Sequence, residues 1–139
     1  AFDVSFGSGA PVFHPVLTDL ATQARVESLA EDPQGRILLG GSIDDPLFSG
    51  YLLRLSVNGA RDASFGTQGS VVAPYGEDGW VGELASVQLT SVPRGGLVVP
   101  RIVTVGRWQR AGGPKSERVI ARHLYDDAPI MNPHQLHGR

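Results

Sequence analysis

Cysteine is absent from the chain, which excludes disulfides, thiolate catalysis and cysteine-based zinc sites together. No run approaches the roughly eighteen consecutive apolar residues of a membrane-spanning helix, and no basic-then-apolar leader opens the sequence. The start at Ala1 rather than Met reads as a processed or excised product. An excess of one charge sign is also missing: 12 basic and 14 acidic residues leave a formal net charge of −2. No global field therefore draws the chain to nucleic acid or to an anionic surface. Long unpunctuated segments are lacking too, because 18 glycines and 10 prolines interrupt 139 residues. Short strands joined by turns fit that spacing better than long helices.

What the chain does contain is a repeat. Phe2-Asp3-Val4-Ser5-Phe6-Gly7 returns as Arg61-Asp62-Ala63-Ser64-Phe65-Gly66, and Asp62, Ser64, Phe65 and Val71 each follow Asp3, Ser5, Phe6 and Val12 by 59 positions (62 − 3). Leu89, Pro93, Gly95 and Leu97 follow Leu29, Pro33, Gly35 and Ile37 by 60 (89 − 29). A single supersecondary unit written twice explains this. Arg122 follows Arg54 by 68 (122 − 54), which locates an insertion between the third and fourth strands of the second unit, on a projecting loop over 106–116 rich in glycine.

The first unit divides into Val12–Leu17, Arg25–Glu31, Arg36–Ser42 and Tyr51–Val57, and the second into Ser70–Ala73, Glu83–Val92, Leu97–Val105 and Glu117–Tyr125. Asp32-Pro33-Gln34-Gly35 and Pro93-Arg94-Gly95-Gly96 read as hairpin turns, since Pro presets one turn dihedral and Gly accepts a positive one. Ile37-Leu38-Leu39 is unbroken apolar sequence, which suits a strand covered on both faces. Asn58-Gly59 closes the first unit as a turn. One domain is expected over 1–127, made of repeats 1–69 and 70–127, with an irregular tail over 128–139.

The Asp-x-Ser-Phe-Gly motif, the Pro-x-Gly hairpin before an apolar run ending in Gly40-Gly41-Ser42, the Leu52-Leu53-Arg54-Leu55 strand and Asn58-Gly59 together resemble the bacterial delta-60 repeat. That resemblance implies a β-propeller-like blade of about 60 residues, found in secreted or surface proteins, and an extracellular or cell-envelope location. Residues 2–71 carry it closely and 72–127 with losses: Pro100 stands where Gly is expected, and Asp126-Asp127 where Asn-Gly is expected. The expected fold is all-β, two four-stranded antiparallel propeller-like blades, with a compact two-sheet sandwich as the alternative. A closed propeller needs about four to eight blades, so two imply other chains or further repeats, and Phe2 to Val12 implies a missing neighbour.

The repeated Asp3, Ser5, Phe6 and Gly7, with Asp62, Ser64, Phe65 and Gly66, read as structural: acid and hydroxyl cap a turn, Phe anchors it and Gly permits a left-handed backbone. Neither serine has the glycine two residues before it that a nucleophile elbow requires. No catalytic residue is assigned, and an enzyme would need a channel or inter-chain site drawing on Asp44, Asp45, Asp126 or His123. Asp44-Asp45, Glu77-Asp78 and Asp126-Asp127 offer oxygen ligands of the kind Ca²⁺ takes, without the alternating pattern of a dedicated loop. His134 and His137 sit between Pro133 and Gly138 and read as surface or interface residues. The best ligand-binding candidates are Arg107, Trp108, Arg110 and Lys115, with Trp80. A tryptophan among cations stacks a sugar ring and holds an anion, or packs against a neighbouring subunit. A protein partner leads, by self-association or adjacent repeats, with a glycan second and no nucleic acid.

Overall fold

The computed structural model describes residues 1, 3–14, 23–43, 49–73, 80–94, 96–110, 112–114 and 116–125. Asp44, Asp45, Glu77, Asp78, Lys115, Asp126, Asp127, His134 and His137 lie outside them, and Trp80 and His123 are placed by backbone alone. The described chain is all-β. Its strands are β1 (Ala24–Glu31), β2 (Ile37–Ile43), β3 (Ser49–Leu55), β4 (Ser70–Ala73), β5 (Trp80–Arg94), β6 (Leu97–Arg110) and β7 (Ser116–Leu124). Among the described residues no helix is long and apolar enough to cross a membrane.

Two antiparallel sheets result, ordered β1-β2-β3-β4 (sheet A) and β5-β6-β7 (sheet B). They pack face to face as an open, sandwich-like pair. The seam between them holds Leu38, Leu52, Phe65, Leu84, Val87, Ile102 and Tyr125. On the opposite face of sheet A, Ile43, Tyr51, Leu53 and Leu55 form a second cluster with Ile37 and Leu39, covered in part by Phe6 and Val12 of the N-terminal segment. The Ile37-Leu38-Leu39 run is therefore clad on both sides, as its unbroken apolar character requires.

Strand assignment and register are both corrected. Sheet B has three described strands where four are expected, because Ser70–Ala73 pairs with β3 instead of opening the second unit: Tyr51 faces Val72 and Leu52 faces Val71. The sheet boundary thus crosses the repeat boundary. Val12 to His14, expected as a strand, is not one; these three residues are the counterparts of β4, without the neighbouring strand that β3 provides.

The second correction concerns register. Each sheet carries a β-bulge in its first strand, between Val26 and Ser28 in β1 and between Leu84 and Ser86 in β5. A glycine lies against each, where a Cβ on Gly41 would fall 1.7 Å from the Arg25 carbonyl oxygen and one on Gly106 2.4 Å from that of Glu83. Gly106, at an offset of 65 (106 − 41), is therefore the counterpart of Gly41, and no glycine has been replaced by Pro100. The pairs Leu38 with Arg54 and Gly40 with Leu52 recur as Val103 with Arg122 and Val105 with Ile120. The 68-residue match of Arg122 to Arg54 holds, but the extra residues are split. Most lengthen the β5–β6 hairpin, which closes between Arg94 and Leu97.

The expected loop over 106–116 is consequently mostly strand. β6 continues to Arg110 because Arg107, Trp108 and Gln109 pair with β5 on one side and β7 on the other.

Candidate functional site

The second motif copy builds the polar centre of the molecule. Asp62 Oδ1 accepts from the Ser64 amide at 3.2 Å and from its hydroxyl at 2.6 Å, closing a side-chain turn that presents Phe65 to the core. Arg54, the penultimate residue of β3, is buried with each guanidinium nitrogen bonded. Its Nε donates to Asp62 Oδ2 at 2.8 Å, one terminal nitrogen to the Tyr125 carbonyl at 3.1 Å and the other to Ser64 Oγ at 3.0 Å. Its charge also lies 4.7 Å from the Phe65 ring centroid and 5.2 Å from that of Tyr125, the geometry of cation–π attraction.

A second carboxylate continues the cluster. In the Asp32-Pro33-Gln34-Gly35 turn, Asp32 Oδ1 accepts from the amides of Gln34 and Arg36 at 2.9 and 2.8 Å, while Oδ2 accepts from Arg36 Nε at 2.6 Å and from the Tyr125 hydroxyl. Arg36 in turn lies 5.0 Å over the Tyr125 ring and 3.8 Å from Asp62. Burial alone would raise the Asp32 carboxyl, but the bonds from Tyr125 and Arg36 outweigh it and hold the group below the usual carboxylate range. Asp62 behaves likewise, with burial opposed by Ser64 and Arg54. Burial and the bond to Asp32 push the Tyr125 hydroxyl up to about 12. Two carboxylates and two guanidiniums balance in charge, and every acceptor of Asp32 is engaged. The arrangement locks sheet A to the end of β7; it leaves no free base or nucleophile. A cavity of 760 Å³ beside it is lined by Asp32, Arg36, Leu89, Ser91, Pro100 and Tyr125, among others.

The first motif copy has the same local chemistry in another setting. Asp3 Oδ1 accepts from the Ser5 amide at 2.8 Å and its hydroxyl at 2.7 Å, and the Ser5 hydroxyl bond, aided by that of its amide, lowers the Asp3 carboxyl. Gly7 and Gly66 share a positive φ of 57° and 55°. A Cβ on either would strike the valine five residues on, at 2.6 Å from Val12 and 2.4 Å from Val71. No cation of the described residues pairs with Asp3. A recess of 490 Å³ opens beside it, lined by Asp3, Ser5, Phe6, Glu31 and Val57 among others.

The ligand-binding residues expected on the 106–116 loop are placed differently. Trp108 is 3% exposed and packs with Val119 and Ala121 on the inner face of sheet B. Its ring covers Gly82, where a Cβ would fall 2.1 Å from Nε1. Neither a stacking platform for a sugar nor a projecting contact for a neighbour is formed by this indole. Arg107 lies on the other face, exposed and 3.5 Å from Glu83, so strand alternation puts it and Trp108 on opposite sides. Arg110 is exposed at the end of β6, and the Trp80 backbone pairs with it. Among the described residues no group of three or more His, Asp or Glu gathers to hold a metal ion.

Asp32, Arg36, Arg54 and Tyr125 are absent from the expected site. Arg54 did leave a signal, a single charge inside the apolar strand Tyr51–Leu55. Tyr125 left none, being 93 residues from Asp32. Comparison of the chain with protein-family models, curated proteins and solved structures finds no match.

Proposed function

We propose that this chain is a non-enzymatic interaction module of β-propeller type, whose sheets are completed by another sheet from a second chain or a further repeat. One observation carries the reading. The face of β5 that is buried in the seam is, in its counterpart β1, open to solvent. Leu84 and Val87 are 0% and 2% exposed, whereas the matching Val26 and Leu29 are 54% and 64% exposed. Apolar side chains on one continuous sheet face mark a contact surface. The saturated Asp32–Tyr125 and Arg54–Asp62 bonds support a structural over a catalytic role. The delta-60 resemblance supports a bacterial extracellular or cell-envelope setting.

Solution mass tests this reading. The expected result is a concentration-dependent mass above the 14.8 kDa of one chain. A chain that stays at that mass up to high concentration and unfolds in one cooperative step would overturn it.

A further inference from the structure

We infer that the recess beside Asp3 is the receptor for Arg122 of a second copy of this chain, so that copies join head to tail by repeating the seam already formed between sheets A and B. The inference rests on the interaction-module reading and names its site and partner.

The receptor is defined by what surrounds Arg54. Its guanidinium is held by Asp62, Ser64, the Phe65 ring and the Tyr125 carbonyl. The repeat offsets of 59 and 68 carry these four onto Asp3, Ser5, Phe6 and Val57 (62 − 3; 125 − 57). All four line the 490 Å³ recess. Glu31 joins them there and no basic residue does, so the recess is acidic and suited to a cation. The Asp3–Ser5 turn is already in the bonded form that Asp62–Ser64 has when it grips Arg54. Phe6 and Val12 are already seated on sheet A as Phe65 and Val71 are on the seam. The turn and the recess are thus already formed in the single chain.

The cation that fits is specified by the same equivalence. Arg122 occupies in sheet B the place of Arg54, paired with Val103 as Arg54 is with Leu38. It is exposed, on the outer face of β7. Ile120 beside it is 74% exposed, although its counterpart Leu52 is 0% exposed. Val103 and Val105 continue this apolar strip on β6, and Arg118 adds a second positive charge on β7. The opposing surface offers Val26, Leu29 and Val57 with Asp3 and Glu31. Apolar strip meets apolar strip and basic rim meets acidic recess, which sets orientation as well as attraction.

The backbone matches too. β4 pairs with β3 through Val71 and Leu52; the equivalent pairing sets residues 11–14 of one copy along β7 of the other, with Val12 opposite Ile120. Among the described residues β7 pairs with β6 alone, and strand addition to such an edge is a common mode of association. Ser28 Oγ, which accepts from the Val87 amide across the present seam at 3.1 Å, has its counterpart in Ser86 of the second copy, facing the Leu29 amide of the first. The contact is heterologous, so successive copies close a ring or extend a filament.

The test is sedimentation velocity on the full chain and on Asp3→Arg and Arg122→Asp, whose side chains are exposed in the single chain, with circular dichroism to verify folding. Self-association is expected to weaken by roughly thirtyfold or more in each variant and to return in an equimolar mixture, where each reversed charge meets its complement. Both variants keeping the wild-type mass would overturn the Arg122 receptor while leaving self-association intact. Loss without recovery in the mixture would overturn the pairing. A wild-type chain that stays at 14.8 kDa would overturn self-docking together with the interaction-module reading on which it rests.

Discussion

The Tyr125 hydroxyl donates to Asp32, 93 residues earlier in the chain, and so ties the end of β7 to the first hairpin turn of sheet A. Tyr125→Phe removes this bond to a charged acceptor and leaves the ring over Arg36 and Arg54. A loss of about 2 kcal/mol in unfolding free energy is expected, read by urea denaturation, with the sheet content unchanged by circular dichroism.

The same cluster sets the pH dependence. Asp32 and Asp62 have folded-state carboxyls below their ordinary value, so their stabilisation is present above about pH 4 and is lost as pH falls through the lowered values. Tyr125 is raised to about 12, so its contribution is complete below about pH 10 and is lost as pH rises through the folded value. Thermal unfolding between these limits should show a plateau with a decline at each end. In Tyr125→Phe the alkaline decline should be reduced.

Arg54 and Arg122 are counterparts in the repeat but differ in surroundings. Arg54→Met leaves Asp62 in a half-buried site without its principal cation, and a cost of about 3–5 kcal/mol is expected. Arg122→Met, measured at a concentration where chains are single, should stay within about 0.5 kcal/mol of wild type. Equal costs for the two substitutions would contradict the difference in their environments.

Trp108 contributes to stability through the core. Trp108→Ala empties the space over Gly82 and Gly106 and should cost about 3–5 kcal/mol. Gly82→Ala, which adds a methyl where the indole lies, should also lower the melting temperature, because that carbon would sit 2.1 Å from Nε1. A Trp108→Ala chain as stable as wild type would show that the ring is not packed in the sheet.

Local order was legible wherever neighbouring residues decide it. The Asp32–Gly35 turn forms as its proline and glycine direct, with the Gly35 amide donating to the Asp32 carbonyl at 2.9 Å. Ser70–Ala73 has the expected limits, and the two Asp-x-Ser turns share their bonds because two residues suffice to make them. Register was less legible. Pro33 and Pro93 align by offset, yet strand pairing follows Gly41 and Gly106, since close backbone approach at a bulge tolerates no side chain while the length of a hairpin tip is free to vary.

The sequence by itself determined that the chain is β-rich, that it is written twice, and that Asp62 and Ser64 make a turn, because these depend on contacts within a few residues. Only the tertiary structure decided that β4 belongs to sheet A, that Trp108 points inward while Arg107 points out, and that Arg54 is enclosed by Asp62, Ser64, Phe65 and Tyr125. Those outcomes depend on which sheet covers which face, a choice made by burial between segments far apart in the chain. The same choice leaves Asp3 and Ser5 in an acidic recess at the surface and their exact sequence relatives closed around an arginine.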